Sequence, residues 1–260
     1  MNTMLHASNH GPLQSNRRRL LVLATFSAAL WLLVSQPAPA GQMGGMGGQG
    51  GMGGMGGAGG RMGGGQPSPE EVVSAPREDK PDIAARKSFN AGMKSLNKAK
   101  DEAAAAASAS NEDKKNAALE KMNDLYGRAL DQFTDAVANR GDMYEAWNNV
   151  GYIHLRLGAF NESIDDYNHT LALKPDLLEA TEHRAEAYVA VDRLEEAQSA
   201  YMDLFNHDRK LADQLMVAMQ RWVTDHRADA NGMRASDIDA FAKWVQERDG
   251  IAKQTASLPP

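Results

Sequence analysis

Methionine is the residue with possible chemistry that is most concentrated in one place. Five of the 14 methionines fall between Gly41 and Gly65, in the string GQMGGMGGQGGMGGMGGAGGRMGGG. Met43 and Met46 form one M-x-x-M pair, and Met52 and Met55 form another. Thioether sulfur is soft and suits Cu(I), and a flexible glycine chain could wrap several sulfurs around one ion. No histidine stands near these methionines once the first 40 residues are set aside, so a Cu(I) site is the alternative reading of this string and not the leading one. The same string contains G-x-G-x-x-G at 48–53. The dinucleotide fingerprint needs a strand before it and a helix after it, and a glycine-dominated string supplies neither.

The other reactive side chains do not assemble into a signature. His154, His169, His183, His207 and His226 are scattered. Glu179 and His183 lie one helical turn apart, as do Asp165 and His169, but no HExxH or third ligand accompanies either pair. Ser163 has no histidine arranged as a triad partner. Carboxylates at Asp165-Asp166 and Glu195-Glu196 are expected on solvated helix faces. Cysteine is absent, which excludes disulfides, thiolate metal sites and a cysteine nucleophile. Catalysis and a cofactor are therefore not expected.

The elements that must position these residues are helical. From Asp82 onward there is no proline until Pro175, and apolar residues recur at helical spacing. Ala129, Leu130, Phe133, Ala136 and Val137 share one face. Leu211, Leu215, Ala218, Met219 and Trp222 share another. Ser236 and Asp239 have the spacing of a capping box ahead of the stripe Ile238, Phe241, Ala242 and Val245. No run of alternating β-branched residues suggests a strand. The predicted fold class is all-α.

The N-terminus reads as an export signal. Residues 1–19 carry no acid and end in Arg17-Arg18-Arg19. An apolar run follows from Leu20 to Val34, then Ala38-Pro39-Ala40, which fits small-x-small cleavage after Ala40. The apolar run is shorter than the roughly 20 residues of a permanent span. An exported, periplasmic protein is expected, with an uncleaved inner-membrane anchor as the alternative. The remaining 41–260 hold 25 basic and 34 acidic residues. That excess of acid argues against nucleic acid, whose binding is driven by phosphate neutralisation. Residues 41–81, rich in Gly and Pro, bury too little to offset backbone entropy and are expected to be disordered.

A repeat emerges from Glu145 to Asp176, EAWNNVGYIHLRLGAFNESIDDYNHTLALKPD. Trp147, Val150, Gly151 and His154 fall on a first helix, and Gly158 breaks it. Ser163, Tyr167 and Thr170 fall on a second, and Pro175 ends the unit. The pattern returns 34 residues later, with Thr181, Arg184, Ala185 and Tyr188, then Ala197, Tyr201 and Leu204. This resembles the tetratricopeptide repeat, W-x2-L-G-x2-Y then A-x3-F then P. The departures are His154 for tyrosine, Thr181 for tryptophan, Arg184 for an apolar residue and Asp208-Arg209 where the second proline would stand. The packing residues implied are Trp147, Val150, Gly151, Tyr167 and Pro175 in one unit, and Ala185, Tyr188, Ala197 and Tyr201 in the next.

Upstream, Ala85–Ala99 supplies a candidate first helix, with Gly92 as its small packing residue. The alanine-rich stretch after it predicts that both helices of this hairpin are extended, with a turn and N-cap near Ser110–Asp113. An unstructured insertion at 101–115 is the alternative. The expected organisation is a signal peptide at 1–40, a disordered segment at 41–81, an extended hairpin at 82–143, repeats at 144–177 and 178–211, capping helices at 212–250 with a turn at Asn231-Gly232, and a disordered tail at 251–260.

The resemblance implies binding. First helices of such arrays line a groove that takes an extended peptide or a helix from a protein partner. The groove residues implied are Glu145, Asn148, Tyr152 and Leu155, then Glu179, Glu182, Glu186 and Val189, then Asp213, Met216 and Gln220. Glu179, Glu182 and Glu186 share one helix face, so the stripe is either a solubilising surface or an acidic groove for a basic partner segment. The expected function is a non-catalytic scaffold or adaptor in the bacterial cell envelope. The alternative is an exported Cu(I)-binding protein.

Overall fold

The computed structural model describes residues 80–256. The expectations for the signal peptide, its cleavage, the Gly/Met segment with its methionine pairs, and the last four residues lie outside these. Among the described residues the chain is all-helical, with eight helices and no strand.

Two 28-residue helices, α1 (Lys80–Ala107) and α2 (Glu112–Asn139), come first. They run antiparallel: Asp82 faces Arg140 near one end, Phe89 packs on Phe133, Ser95 donates to Gln132, and Glu102 meets Lys121 near the other end. Gly92 permits this closeness, since a Cβ there would stand 2.7 Å from the Phe133 ring. The Asn111 side chain accepts the Lys114 N–H at 2.9 Å and starts α2. Residues 101–107 continue α1 and 112–115 open α2, so this stretch is helical apart from a four-residue turn.

Four shorter helices follow: α3 (Tyr144–Arg156), α4 (Phe160–Leu173), α5 (Leu178–Ala190) and α6 (Leu194–His207). Every boundary of α3 and α4 recurs 34 residues later in α5 and α6: Tyr144 to Leu178, Arg156 to Ala190, Phe160 to Leu194, Leu173 to His207. Gly151 seats α4 on α3, because a Cβ would lie 3.2 Å from the Tyr167 ring. The buried Ser163 hydroxyl donates to the Gly151 carbonyl across the same crossing. Pro175 itself is exposed; it follows the α4 C-cap Lys174, which has φ of −138°, and cannot continue the helix.

The last helices are α7 (Arg209–Ala228) and α8 (Ala235–Ala256). Asp208 alone separates α6 from α7, and its carboxylate accepts the N–H groups of Lys210 and Leu211. Where the repeat pattern has a proline, this chain has an N-cap, which stops one helix and starts the next. Asn231 and Gly232 make the α7–α8 turn, both in the left-handed region.

Two expectations need correction. Ser236 does not form a capping box: it lies inside the first turn of α8 and its hydroxyl donates to Asp237. The chain after residue 250 is helical through Ala256 and not a disordered tail. Buried Ala252 docks that end, and its carbonyl accepts from Arg209.

The core has two parts. One joins α1, α2 and α3 through Leu96, Tyr126, Phe133, Val150 and Ile153. The other runs from α3 to α8, with Tyr201, Leu215, Met219, Trp222 and Phe241 at its centre. Leu155 belongs to the second and Ile153 to the first, so α3 carries the seam between them.

Candidate functional site: the first-helix stripe and the cleft at its end

The groove residues implied by the resemblance divide sharply by position. Glu179 is exposed, and Glu145 and Asn148 are half-buried. Tyr152, Leu155 and Val189 are buried, and so are Glu182 and Glu186 at 2% and 3% exposure. The acidic stripe is therefore neither a solubilising surface nor an open acidic groove, and the middle of the stripe is interior.

The physical reason is Arg156, which the sequence reading did not single out. It closes α3 and is itself buried. Its guanidinium stands 5.0 Å from the Tyr152 ring centroid, and Lys100 of α1 stands 5.0 Å from the same ring. Burial works against the Arg156 charge, but the Tyr152 hydroxyl and the Glu186 carboxylate outweigh it and hold the pKa above its ordinary value. Burial pushes both carboxyls up, and Glu186 pushes Glu182 further, while Arg156 pulls each back down. One carboxylate oxygen of Glu186 is buried without a hydrogen-bond partner. A carboxyl in that setting favours its protonated form.

His183 sits beside them, with its ring at 5.6 Å from Tyr152 and 5.9 Å from Tyr167. Burial, then the positive charges of Arg156 and Lys100, push its pKa down to about 3. It is a neutral imidazole wedged between two phenols near neutral pH. The signal for this cluster was present as spacing: Tyr152 and Arg156 are one turn apart, facing the turn-spaced Glu182 and Glu186.

Two further histidines also sit in side-chain contacts. His154 pairs with Asp166 at 2.6 Å, and burial raises the Asp166 pKa although that bond lowers it. His169 stacks on Trp147 at 4.7 Å. Among the described residues no group of three histidines or carboxylates could hold a metal ion. No described helix is long and apolar enough to cross a membrane.

The last three groove residues behave differently. Asp213, Met216 and Gln220 converge on a cleft of about 480 Å³ between α7 and α8. Asp249, Ala252, Lys253 and Thr255 form its other wall, and Val217 beside it is 42% exposed. Arg209 anchors the two walls: it donates to the Ala252 carbonyl at 3.0 Å and the Thr255 hydroxyl at 2.9 Å, and caps the Phe205 ring at 3.7 Å. The cleft is lined by buried Met216 and Ala252, with Val217 exposed at its edge and two acids and two bases around it.

The implied packing residues fall where packing needs them, with Pro175 exposed as described. Val150, Gly151, Tyr167, Ala185, Tyr188, Ala197 and Tyr201 are buried, and Trp147 is half-buried. Compared with known proteins, the chain matches no family model and no curated protein.

Proposed function

We propose that this protein is a non-catalytic binding module of the tetratricopeptide kind, exported to the bacterial envelope, that holds a segment of another protein in the cleft between α7 and α8. The observation that carries the reading is the convergence of Asp213, Met216 and Gln220 on that cleft, with Val217 exposed beside them. An apolar lining with charges around it suits a short amphipathic segment, whose apolar side chains enter and whose polar ones pair at the edge. The 34-residue recurrence of helix boundaries supports the repeat kinship. Export rests on the sequence of residues 1–40 alone.

The test is a photo-crosslinking residue placed at Val217 in the intact chain in cells, with a second at exposed Glu195 as control. A defined partner adduct at 217 that is absent at 195, and that is lost with Met216→Glu, is the expected result. Equal labelling from both positions would sink the reading.

A further inference from the structure

We infer that the cleft between α5 and α6 is a binding site for an indole-like aromatic heterocycle bearing a ring N–H. The site is the counterpart, one repeat later, of the slot that Trp147 fills. In the first unit the Trp147 indole stacks on His169 at 4.7 Å, and its Nε1–H donates to the Gly141 carbonyl at 2.9 Å. Moving 34 residues along, Trp147 becomes Thr181, His169 becomes Asp203 and Gly141 becomes Pro175. Thr181, Asp203 and Pro175 line a cleft of about 580 Å³. Val150 becomes Arg184 and His154 becomes Tyr188, and these line it too. The helix boundaries of the two units coincide after the shift, so equivalent helices flank the slot while its indole is missing.

The walls add chemistry that the first slot lacks. Arg184 donates from one terminal nitrogen to Asn168 at 2.8 Å, and its guanidinium lies 5.6 Å from the Tyr188 ring. Its Nε is buried without a partner. A planar cation beside an aromatic floor is a stacking surface for a π-system. Pro175 stands 34 residues after Gly141 and lines the cleft, so its carbonyl would take the ring N–H. The Asp203 carboxylate, where the first unit has a histidine ring, favours a donor-bearing heterocycle over a plain benzene ring. The volume is in the range of small-molecule sites.

This site uses Thr181, Arg184 and Tyr188, a different stripe of α5 from Glu182 and Glu186, and shares no residue with the α7–α8 cleft. Failure of the partner reading leaves it standing.

The experiment is ligand-observed fluorine NMR of 5-fluoroindole with the full chain. Saturable broadening with the wild type, lost in Thr181→Trp, is the expected result. Circular dichroism checks that the variant folds, and Ala200→Leu, which narrows the cleft from α6, serves if it does not. N-acetyltryptophanamide is the second arm. Displacement of 5-fluoroindole by it identifies the ligand as a tryptophan side chain on another chain; binding of 5-fluoroindole without displacement identifies a free heterocycle. Equal broadening in wild type and variant, or none in either, overturns the inference.

Discussion

The units at 144–177 and 178–211 have the same helix boundaries and different interiors. The first closes its hairpin with an indole on an imidazole, a glycine under Tyr167 and a serine hydroxyl bridging to that glycine's carbonyl. The second has alanine in place of both glycine and serine, and an open cleft where the indole would be. At the turn, Gly158 takes φ of 76° in the first unit, and Asp192 takes φ of 60° in the second. Asp192 uses its awkward position: its carboxylate accepts the Trp222 indole N–H at 2.8 Å and faces His226 at 3.5 Å. The lesson is that period and boundary are carried by a few small residues and large rings. Departures from the pattern mark the places where one unit does something its neighbour does not.

Exchanging residues between the units tests that statement. The largest effect is expected from Trp147→Thr, which gives the first unit the second unit's cleft. It removes a half-buried indole, its stack and its hydrogen bond, and should cost about 3 kcal/mol in urea denaturation. The reverse change, Thr181→Trp, should raise stability; a loss there would mean the two slots differ in shape as well as content.

Next comes Asp192→Ala, expected to cost about 2 kcal/mol, from the lost bond to Trp222 and a left-handed backbone without a helpful side chain. Asp192→Gly restores the first unit's turn residue and should cost about half as much. Equal costs would show that the backbone at 192 is not strained.

The cluster on α5 has no equal on α3, and it gives the second unit its own pH dependence. The His183 pKa lies at about 3, against an ordinary 6.5. Below pH 6.5 the unfolded chain takes a proton there and the folded chain does not, so stability falls as pH drops through that range. Thermal midpoints of His183→Phe should lose part of this acid sensitivity. Glu182 and Glu186 act oppositely. Their raised values mean the folded state holds protons more tightly, so their contribution declines as pH rises above the ordinary carboxyl value of 4.5. Glu182→Gln should flatten that decline; an unchanged profile would mean the carboxyl is solvated.

The smallest effect compares the buried Tyr167 with its counterpart Tyr201. Both hydroxyls are buried without a hydrogen-bond partner. Phenylalanine at either place should be neutral or stabilising by about 1 kcal/mol in the same denaturation assay. A marked loss at one alone would reveal a partner for that hydroxyl.

Much of the fold could be read from residue types. Alanine content and Asn111 marked the long first hairpin, Gly92 its close approach, and Asn231-Gly232 the last turn. The cap and the turn are local signals, decided within one turn of chain, while a glycine in an alanine-rich helix marks where a neighbour can come close. The burial of Glu182 and Glu186 was not readable from their own helix. It depends on Arg156 and Tyr152 from α3, whose approach is a tertiary fact. The end of α8 escaped for the same reason: Arg209, over 40 residues away, holds it. Asp208 is legible as an N-cap, because an aspartate there can accept the N–H groups two and three residues on.

Asp208 has one more implication. It caps the end of one helix and the start of the next, with no other residue between them. In mechanical terms α6 and α7 form an elbow without slack. A pull on the far end of α7 would be passed to α6 instead of being absorbed by a loop. An added residue at this point would loosen the cap and the angle together, disconnecting the last two helices from the load path of the rest.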